Sequence, residues 1–373
     1  MTDVPALRLC LIISSLGSGG AERVLAQLAN HWAEAGHHVS VLTLSGPEKP
    51  IFHTMAQEIH LRQLGVAENT IGIFAKITKL IHRRQTLRTR ILAARPHVVI
   101  SFLDTTNILT LLATRGLELP VIVCERTDPT AHDPGLFWRL LRRLCYPNAA
   151  RIVVQTQAVF SRLSTSWRKR TIVIPNPIPH PGNAQLTPPP LPRPVLLTVG
   201  RFTWEKGHDL LLGAFSRVTA AHPAWQLAIL GDGPCRSALE AQTETLGLKD
   251  RVHFMGLVNN VSEYMFHADA FVLPSRYEGF PNALCEAMAC GLPCIAFDCP
   301  SGPSEIIRHK IDGLLVSPGD ISALALAMDD IMGNPEYRAD LAARAPEICD
   351  RFSEHSVFSQ WDSLVCETAS PSA

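Results

Sequence analysis

The chain has 373 residues, of which 46% are hydrophobic and 18% are charged, and its formal net charge is zero. This length is too great for one ordinary hydrophobic core, so we expect two globular domains. No run of 18 or more apolar residues occurs, so we expect no membrane-spanning helix and predict a cytoplasmic protein.

The charge is unevenly distributed along the chain. Residues 1–190 contain 21 Lys and Arg against 11 Asp and Glu, whereas residues 191–373 contain 13 against 23. Much of the basic excess lies at helical spacing in segment 73–95 and in the cluster of Arg139, Arg142 and Arg143. Basic amphipathic helices bind anionic membrane surfaces. We therefore predict peripheral binding at the inner face of the cell membrane, with a solvated face above a packed helix as the alternative.

Two classes of partner are disfavoured by composition. The near-neutral pI of about 7.2 and the lack of a recognition motif argue against nucleic acid. The ten cysteines have no Cys-x-x-Cys spacing, which is typical of buried thiols that act as small hydrophobic groups. We therefore expect no metal site and no cofactor.

The first half alternates strand-like and helix-like segments, as in a parallel sheet covered by helices. The predicted strands are residues 9–14, 38–44, 97–102, 121–125, 151–155 and 171–174. The predicted helices between them are residues 21–35, 73–94, 107–114 and 135–144. This pattern predicts a Rossmann-like domain at residues 1–180.

A proline-rich segment separates the two halves. Residues 175–194 contain nine prolines, which favours an extended linker, and we place the linker at 181–194. A second alternating array follows, and its predicted strands are residues 195–199, 226–230, 252–255, 270–273 and 294–297. We therefore predict a second Rossmann-like domain at 195–350, a final helix at 351–367 and a tail at 368–373.

Two carboxylates eight residues apart, Glu278 and Glu286, enclose a turn that leads into a short helix. The first turn of a helix has unpaired backbone N–H groups and the positive end of the helix dipole, so it can bind an anion. Pro281 is compatible with a first-turn position. Carboxylates beside a bound diphosphate would accept hydrogen bonds from sugar hydroxyls. The segment predicts a nucleotide sugar as ligand. Its candidate binding residues are Gly279, Phe280, Pro281, Asn282 and Glu286.

The segment 275–291 resembles the E-x7-E signature of the retaining, family 4 glycosyltransferases of GT-B fold. The resemblance implies an α/β protein in which two Rossmann-like domains face each other across a cleft. It also implies that the first domain binds the acceptor, that the second binds the nucleotide sugar, and that the last helix crosses back to the first domain. By this resemblance, Glu278 would bind the sugar ring and Glu286 would bind the ribose.

Arg201 and Lys206 open the second domain after its first predicted strand. A guanidinium and an ammonium together suit a diphosphate whose negative charge grows as it leaves. The pair is similar to the R-x4-K element of the same family, and two exposed surface cations are the alternative. These two cations would replace a metal ion, and no Asp-x-Asp pair that could hold one occurs in the sequence.

Further candidate binding residues lie in loops that follow predicted strands. Gly19 and Gly20 follow the first strand and resemble the family's glycine pair, which faces the donor diphosphate and the acceptor. The segments around Gly231 and Asn259 lie where the family holds the base and ribose of the donor. Glu305 lies in a segment that resembles a donor-side loop.

Glu125 stands where many members of the family have a histidine that faces the transferred sugar. A carboxylate there could accept a sugar hydroxyl, stabilise positive charge at the anomeric carbon, or orient the acceptor. The E-R-x-D-P run that begins at Glu125 resembles a bacterial subset that builds lipid-linked glycans and surface polysaccharides, often from N-acetylhexosamine donors. Asp104 and His132 are further candidates for contact with the acceptor.

These observations predict a metal-independent, retaining glycosyltransferase. The donor would be a UDP-sugar, and the acceptor a polyprenyl-linked or surface-polysaccharide glycan. The predicted catalytic residues are Glu278, Arg201, Lys206 and Glu125. Two other functions stay open: a GT-B epimerase that acts on UDP-N-acetylglucosamine, and a non-catalytic partner that binds a nucleotide sugar or lipid.

Overall fold

The computed structural model describes residues 6–66, 73–127, 135–182, 189–258 and 260–370, with the backbone alone for 73–77. The chain divides into two compact units. The first contains Met1–Asn176 together with His355–Ala373, and the second contains Pro177–Glu354. The described residues of the proline-rich segment, 181–182 and 189–194, therefore belong to the second unit.

The first unit is built on a seven-stranded parallel sheet with the strand order β3-β2-β1-β4-β5-β6-β7. Its strands are β1 (Arg8–Ile13), β2 (His38–Thr43), β3 (His60–Gln63), β4 (Val98–Phe102), β5 (Val121–Cys124), β6 (Arg151–Val154) and β7 (Thr171–Val173). Its first helices are α1 (Gly20–Glu34), α2 (Ile73–Ala94), α3 (Asp104–Thr114), α4 (Leu136–Cys145), α5 (Gln157–Arg162) and α6 (Thr165–Arg168).

The second unit is built on a six-stranded parallel sheet with the strand order β10-β9-β8-β11-β12-β13. Its strands are β8 (Val195–Val199), β9 (Gln226–Leu230), β10 (Val252–Gly256), β11 (Ala270–Leu273), β12 (Cys294–Phe297) and β13 (Gly313–Val316). Its helices are α7 (His208–Val218), α8 (Arg236–Thr245), α9 (Val261–His267), α10 (Asn282–Ala289), α11 (Pro303–Ile306), α12 (Ile321–Gly333), α13 (Pro335–Arg344) and α14 (Ile348–Arg351).

The last helix, α15 (Glu354–Ala369), packs on the first unit although the second unit precedes it in the chain. Its buried residues Val357, Trp361, Leu364 and Val365 recur at helical spacing and join the core beside α1. The indole rings of Trp32 and Trp361 meet edge to face at 6.2 Å. The apolar stripe of this helix therefore supplies part of the first unit's core.

The predicted α/β class with two parallel sheets is confirmed, but two edge strands were not predicted. Strand β3 has the sequence His-Leu-Arg-Gln and is half-exposed, so it has no hydrophobic signal. Strand β13 begins with Gly313, a residue that is unfavourable in strands. Both strands form because the neighbouring strand offers an open row of backbone partners.

The strand order locates the edge at which each sheet can bind a ligand. In each sheet the order reverses between two neighbouring strands, β1 and β4 in the first and β8 and β11 in the second. Loops that follow such strands separate to opposite faces and leave a crevice at the carboxyl ends. Within the described residues, no helix combines the length and the apolar composition that a membrane span requires.

Candidate active site

The loops that follow β8 and β11 meet at the switch point of the second sheet. The loop after β8 contains Arg201 and Lys206, and the loop after β11 contains Glu278. The backbone N–H of Arg276 donates to the carbonyl of Glu205 at 2.8 Å and joins the two loops directly. Sequence motifs 70 to 80 residues apart are thereby brought together.

Glycine allows the close approach between these loops. Gly207 ends a single turn of 3-10 helix, Trp204–Lys206, in the left-handed conformation with φ of +66°. A Cβ atom at this position would lie 2.0 Å from the carbonyl oxygen of Pro274, at the end of β11. A side chain would therefore require the two loops to separate.

Lys206 and Glu278 form an ion pair in the structure. The Lys206 Nζ lies 2.7 Å from Glu278 Oε1, and the hydroxyl of Ser275 donates to the same oxygen at 2.6 Å. The side chain of Glu278 is 8% exposed and that of Lys206 is 21% exposed. The backbone carbonyl of Glu278 also accepts a hydrogen bond from the Ser301 hydroxyl. The carboxylate thus holds the ammonium in a fixed, partly desolvated position, where its charge is screened less than in water.

Arg201 is the more accessible of the two predicted cations. Its side chain is 74% exposed, and its guanidinium lies 3.5 Å from the carboxylate of Glu205. An exposed ion pair at this distance contributes little to stability. Arg201 can therefore turn toward a phosphate at small energetic cost.

Arg276 fastens the loop that follows β11, and the sequence motifs did not single it out. Its guanidinium donates to both carboxylate oxygens of Asp209, at 2.8 and 2.6 Å, and lies 4.7 Å from the centre of the Trp204 ring. Partial burial would raise the pKa of Asp209, but the hydrogen bonds from Arg276 outweigh it and hold that pKa below its ordinary value. This bidentate pair keeps the loop that carries Lys206 against the loop that carries Glu278.

His208 lies directly behind the cations and is neutral at pH 7. It is 2% exposed, and its ring meets that of Phe202 edge to face at 5.3 Å. Burial, with a smaller contribution from the charge of Lys206, lowers the pKa of His208 to about 4. The positive charge of this loop therefore comes from Arg201 and Lys206.

Helix α10 begins directly after the turn that contains Glu278. Pro281 is the N-cap residue, not a first-turn residue as predicted, and its carbonyl accepts from the N–H groups of Leu284 and Cys285 at 3.1 and 3.3 Å. The correction has a simple cause, because the helix starts one residue later, at Asn282. The N-cap side chain, that of Pro281, makes no capping hydrogen bond, and backbone N–H groups at a helix start suit an anion.

The other predicted residues of this segment differ in their environments. The Phe280 side chain is 8% exposed and meets the ring of Phe352 edge to face at 5.5 Å, so it is a core residue and only its backbone can face a ligand. Gly279 is also buried, and Glu286 lies half-buried in the second turn of α10. Gly302 packs on Pro281, since a Cβ atom there would lie 2.6 Å from Pro281 Cδ.

Two further predicted residues, Gly231 and Glu305, lie in described parts of the second unit. Gly231 has φ of +135°, and a Cβ atom there would lie 2.0 Å from the carbonyl oxygen of Gly200, so its loop lies against the loop of Arg201. Glu305 is half-buried in α11, and its carbonyl accepts from Arg351 at 2.8 Å. Asn259 lies outside the described residues.

The first unit has its own predicted residues at the switch point between β1 and β4. Gly19 is the N-cap of α1 and Gly20 is its first residue, and the side chain of Glu22 lies close above Gly19. Asp104 is the first residue of α3, and its Oδ1 accepts from the N–H of Thr105 at 2.6 Å. Both loops therefore end in helix starts at the carboxyl edge of the first sheet.

Glu125 is buried in the first unit, where it is 1% exposed. Its Oε1 accepts a hydrogen bond from the hydroxyl of Tyr146, and its backbone carbonyl accepts one from the side chain of Gln155. Burial raises the pKa of Tyr146 well above its ordinary value, and the charge of Glu125 raises it further. The carboxyl group is thus held within a hydrogen-bond network. The other predicted acceptor residue nearby in sequence, His132, lies outside the described residues.

The predicted basic cluster on α4 is divided between core and surface. Arg142 is buried, and its guanidinium lies 5.8 Å from the ring centre of Tyr146 and 5.6 Å from that of Trp167. Arg139 and Arg143 are exposed. Two members of the predicted basic cluster are therefore on the surface, whereas the Arg142 side chain covers two aromatic rings of the core.

Comparison with known proteins agrees with this architecture. Residues 19–177 match the family model described as "Glycosyl transferase 4-like domain", and residues 184–348 match "Glycosyl transferases group 1". A relative from Campylobacter jejuni is 29% identical over 364 residues, which cover 97% of this chain and 99% of the relative. That protein is named GalNAc-alpha-(1->4)-GalNAc-alpha-(1->3)-diNAcBac-PP-undecaprenol alpha-1,4-N-acetyl-D-galactosaminyltransferase.

Solved structures show the same fold. A sucrose-phosphate synthase from Thermosynechococcus elongatus superposes with a TM-score of 0.83 at 22% identity, covering 96% of this chain and 98% of the other. The Anabaena protein Alr3699/HepE, solved in complex with UDP and glucose, superposes with a TM-score of 0.77 at 19% identity, covering 96% and 99%.

Proposed function

Because the chain belongs to the family 4 glycosyltransferases and has the GT-B fold, we propose that it is a retaining, metal-independent enzyme. Its donor is a UDP-sugar and its acceptor is a lipid-linked glycan. The observation that carries the proposal is the Lys206–Glu278 ion pair of 2.7 Å in the loops that precede α7 and α10. The carboxylate holds an ammonium donor in place, and this supports a role for Lys206 in binding the departing diphosphate.

The proposed role of the cations follows from the charge that develops during transfer. As the bond between the anomeric carbon and the phosphate oxygen breaks, negative charge grows on the diphosphate. Lys206 is held by one hydrogen bond to Glu278 and has two further N–H donors for a phosphate oxygen. Arg201 can add a bidentate contact. These two groups and the backbone N–H groups at the start of α10 do the work that a metal ion does elsewhere.

The carboxylates have separate proposed roles. Glu278 positions Lys206 and binds a hydroxyl of the transferred sugar, and Glu286 binds the ribose. The acceptor hydroxyl attacks the anomeric carbon on the face that the diphosphate leaves, and the departing phosphate oxygen takes its proton. The configuration at the anomeric carbon is then retained. Glu125, in the first unit, orients the acceptor.

The donor and acceptor classes are supported by the proteins that this chain resembles. The Anabaena structure contains UDP and glucose, which supports a uridine nucleotide as donor. The Campylobacter relative is named for transfer of N-acetylgalactosamine to a glycan on undecaprenol diphosphate. We therefore propose an N-acetylhexosamine as the transferred sugar and a polyprenyl-diphosphate glycan as the acceptor.

A lipid-linked acceptor requires the enzyme to reach a membrane, and α4 offers a suitable surface. Leu136, Phe137, Leu140 and Leu144 on this helix are 75, 54, 57 and 62% exposed. Arg139 and Arg143 lie among them and would attract anionic headgroups. By contrast, Arg83, Arg84 and Arg88 on α2 donate to backbone carbonyls of their own unit. We propose α4 as the helix that binds the inner membrane face.

Donor binding and product analysis test the catalytic proposal. Thermal unfolding is measured with UDP-, GDP- and ADP-sugars, because a bound ligand raises the midpoint in proportion to its affinity. The selected donor is then incubated with and without a polyprenyl-diphosphate glycan, and the product's anomeric configuration is determined by NMR. The proposal predicts a retained linkage and acceptor-dependent turnover. Conversion of the donor alone to its C2 epimer would establish the epimerase instead, and tight binding without turnover would establish a binding protein.

Sedimentation with anionic vesicles tests the membrane proposal. The variant Leu140→Ser/Leu144→Ser should lose most vesicle binding, since each buried leucine side chain contributes about 1.5 to 3 kcal/mol. A matched control, Leu326→Ser, changes a leucine in the second unit that is 67% exposed, and it should bind vesicles like the wild type. Equal binding by all three proteins would reject α4 as the docking helix.

A further inference from the structure

A cationic groove lies in the first unit, away from the predicted catalytic residues. It encloses about 500 Å³ and is lined by the guanidinium-bearing residues Arg8, Arg62 and Arg90 and by His38 and His60. None of the residues that line it is acidic. In the portions of the chain that the structure describes, none of the three arginines forms an ion pair with a carboxylate.

The groove results from the register of the parallel sheet. Arg8 is paired with His38, Ser40 with His60, and Leu42 with Arg62. Because side chains alternate between the two faces of a strand, these six lie on one face of the sheet. Three adjacent strands thereby place two arginines and two histidines side by side.

Helix α2 covers only part of this face. Its residues Leu87 and Ile91 pack in the same core cluster as Cys10 and Ile12 of β1. The helix ends at Ala94, and Arg90 in its last turns lines the groove. The face of β2 and β3 beyond the helix is consequently open to solvent and rimmed by positive charge.

The position of the groove separates it from the donor and acceptor residues. Arg8, His38 and His60 are the first residues of their strands, so the groove lies toward the amino end of the sheet. Gly19, Asp104 and the other candidates of this unit follow the carboxyl ends. The groove is therefore separate from the proposed donor and acceptor sites.

Like charges without counter-charges repel one another and raise the local positive potential. A multiply charged anion would relieve that repulsion, and guanidinium groups suit phosphate oxygens because each can donate two parallel hydrogen bonds. We propose that this groove is a second, non-catalytic binding site for an anion that carries two or more phosphate charges. Such an anion is either a soluble polyphosphate compound or the headgroup region of an anionic phospholipid.

Binding of inorganic triphosphate tests the site. Triphosphate would also bind the cations of the donor loop, so calorimetric titrations use the Arg201→Ala/Lys206→Ala variant as background, at fixed ionic strength. If the groove binds triphosphate, one triphosphate-binding site should remain in this variant. Adding Arg62→Glu should weaken it by about tenfold or more, because a charge-assisted contact is replaced by repulsion. The matched variant Arg115→Glu makes the same charge change at an exposed residue outside the groove, and should alter affinity less than about threefold.

Two further measurements keep the result interpretable. In buffer without polyvalent anions, Arg62→Gln should raise the unfolding midpoint relative to Arg115→Gln, because it removes repulsion within the groove. Vesicles of phosphatidylglycerol should displace triphosphate if the natural ligand is a lipid headgroup and leave it bound if the ligand is soluble. Absence of a remaining triphosphate site, or equal weakening by Arg62→Glu and Arg115→Glu, would overturn the proposal. Neither outcome affects the donor assignments, which are tested by nucleotide-sugar binding to the wild type.

Discussion

The carboxyl edges of the two sheets have the same topology but differ in how exposed their charged side chains are. In the second unit, the side chains of Lys206 and Arg201 are 21% and 74% exposed. They lie in loops that come close together because glycine residues leave room for it. In the first unit, the carboxyl group of Glu125 is 1% exposed and hydrogen-bonded to Tyr146. A cation that remains accessible can bind an anionic ligand, whereas the carboxyl group of Glu125 is held in place by its hydrogen bonds. The difference supports the proposal that the second edge binds the charged part of the substrate.

The largest expected effect follows from removing the fixed ammonium. Lys206→Ala should lower kcat by about 10² to 10³-fold, the usual loss when one preorganised electrostatic contact is removed. Steady-state kinetics with the true donor and acceptor measure it. The control Lys249→Ala removes an exposed lysine that lies 3.3 Å from Glu244 on the same unit, and should leave kcat unchanged. Unchanged turnover in Lys206→Ala would mean that the second edge is no more catalytic than the first.

The pairing of Lys206 with Glu278 can be tested by combining variants. Glu278→Gln keeps a carbonyl oxygen for Lys206 and Ser275 but removes the negative charge. If Glu278 acts partly by positioning Lys206, its effect in the Lys206→Ala background should be about tenfold smaller than in the wild type, since contacting residues are not additive. Full additivity would show that Glu278 acts on the sugar alone.

The next effect concerns the close approach of loops in the second unit. Gly231→Ala forces a Cβ atom to within 2.0 Å of the Gly200 carbonyl at φ of +135°, so it should lower the free energy of unfolding by about 3 kcal/mol or more. Gly247→Ala is the matched control. Gly247 has φ of +67° but no atom within 4 Å of the added Cβ, so about 1 kcal/mol of backbone strain is expected. Urea unfolding of the two variants separates steric clash from strain, and equal losses would contradict the close approach.

The sequence predicted all strands except β3 and β13, because buried parallel strands are continuous hydrophobic runs. It also identified Lys206 and Glu278 separately, each from its own local motif. It could not predict their contact, which joins residues 72 apart and depends on β8 lying beside β11. The same limit explains Arg276 and Asp209, whose ion pair no local pattern reveals.

Some side-chain environments could not be predicted, because a residue's type does not fix the direction of its side chain. Arg142 was predicted as part of a basic cluster, yet its guanidinium lies over the rings of Tyr146 and Trp167. Phe280 lies inside a signature segment, yet its ring packs on Phe352. The strand β3 has polar residues because its outer face lines the cationic groove. In each case tertiary packing decided what the local pattern left open.

A smaller effect tests whether the first edge is structural or acts on the acceptor. Tyr146→Phe removes the hydroxyl that donates to Glu125 and leaves the buried carboxylate without that hydrogen bond, which should cost about 1 to 3 kcal/mol of stability. Glu125→Gln keeps an acceptor for Tyr146 and should be better tolerated. If Glu125 also orients the acceptor, Glu125→Gln should lower kcat/KM for the acceptor while Tyr146→Phe mainly lowers the unfolding midpoint. Parallel changes in both variants would assign Glu125 to the fold alone.

The smallest expected effect concerns the attachment of α15 to the first unit. Within its described residues, the second unit has no counterpart of this attachment. Asp362 accepts hydrogen bonds from the indole N–H of Trp32 at 2.8 Å and lies 3.0 Å from Nε2 of His31. Partial burial would raise the pKa of Asp362, but the hydrogen bonds from His31 and Trp32 hold it below the ordinary value of 3.8.

A carboxyl group with a lowered pKa stabilises the folded state above its unfolded pKa, and this contribution is lost as the pH falls through the folded value. Asp362→Asn should therefore cost about 1 kcal/mol at pH 7. The difference from the wild type should shrink as the pH falls below about 4. Urea unfolding at pH 7 and at pH 3 measures it, and a difference that is independent of pH would show that the side chain's shape, and not its charge, holds the helix.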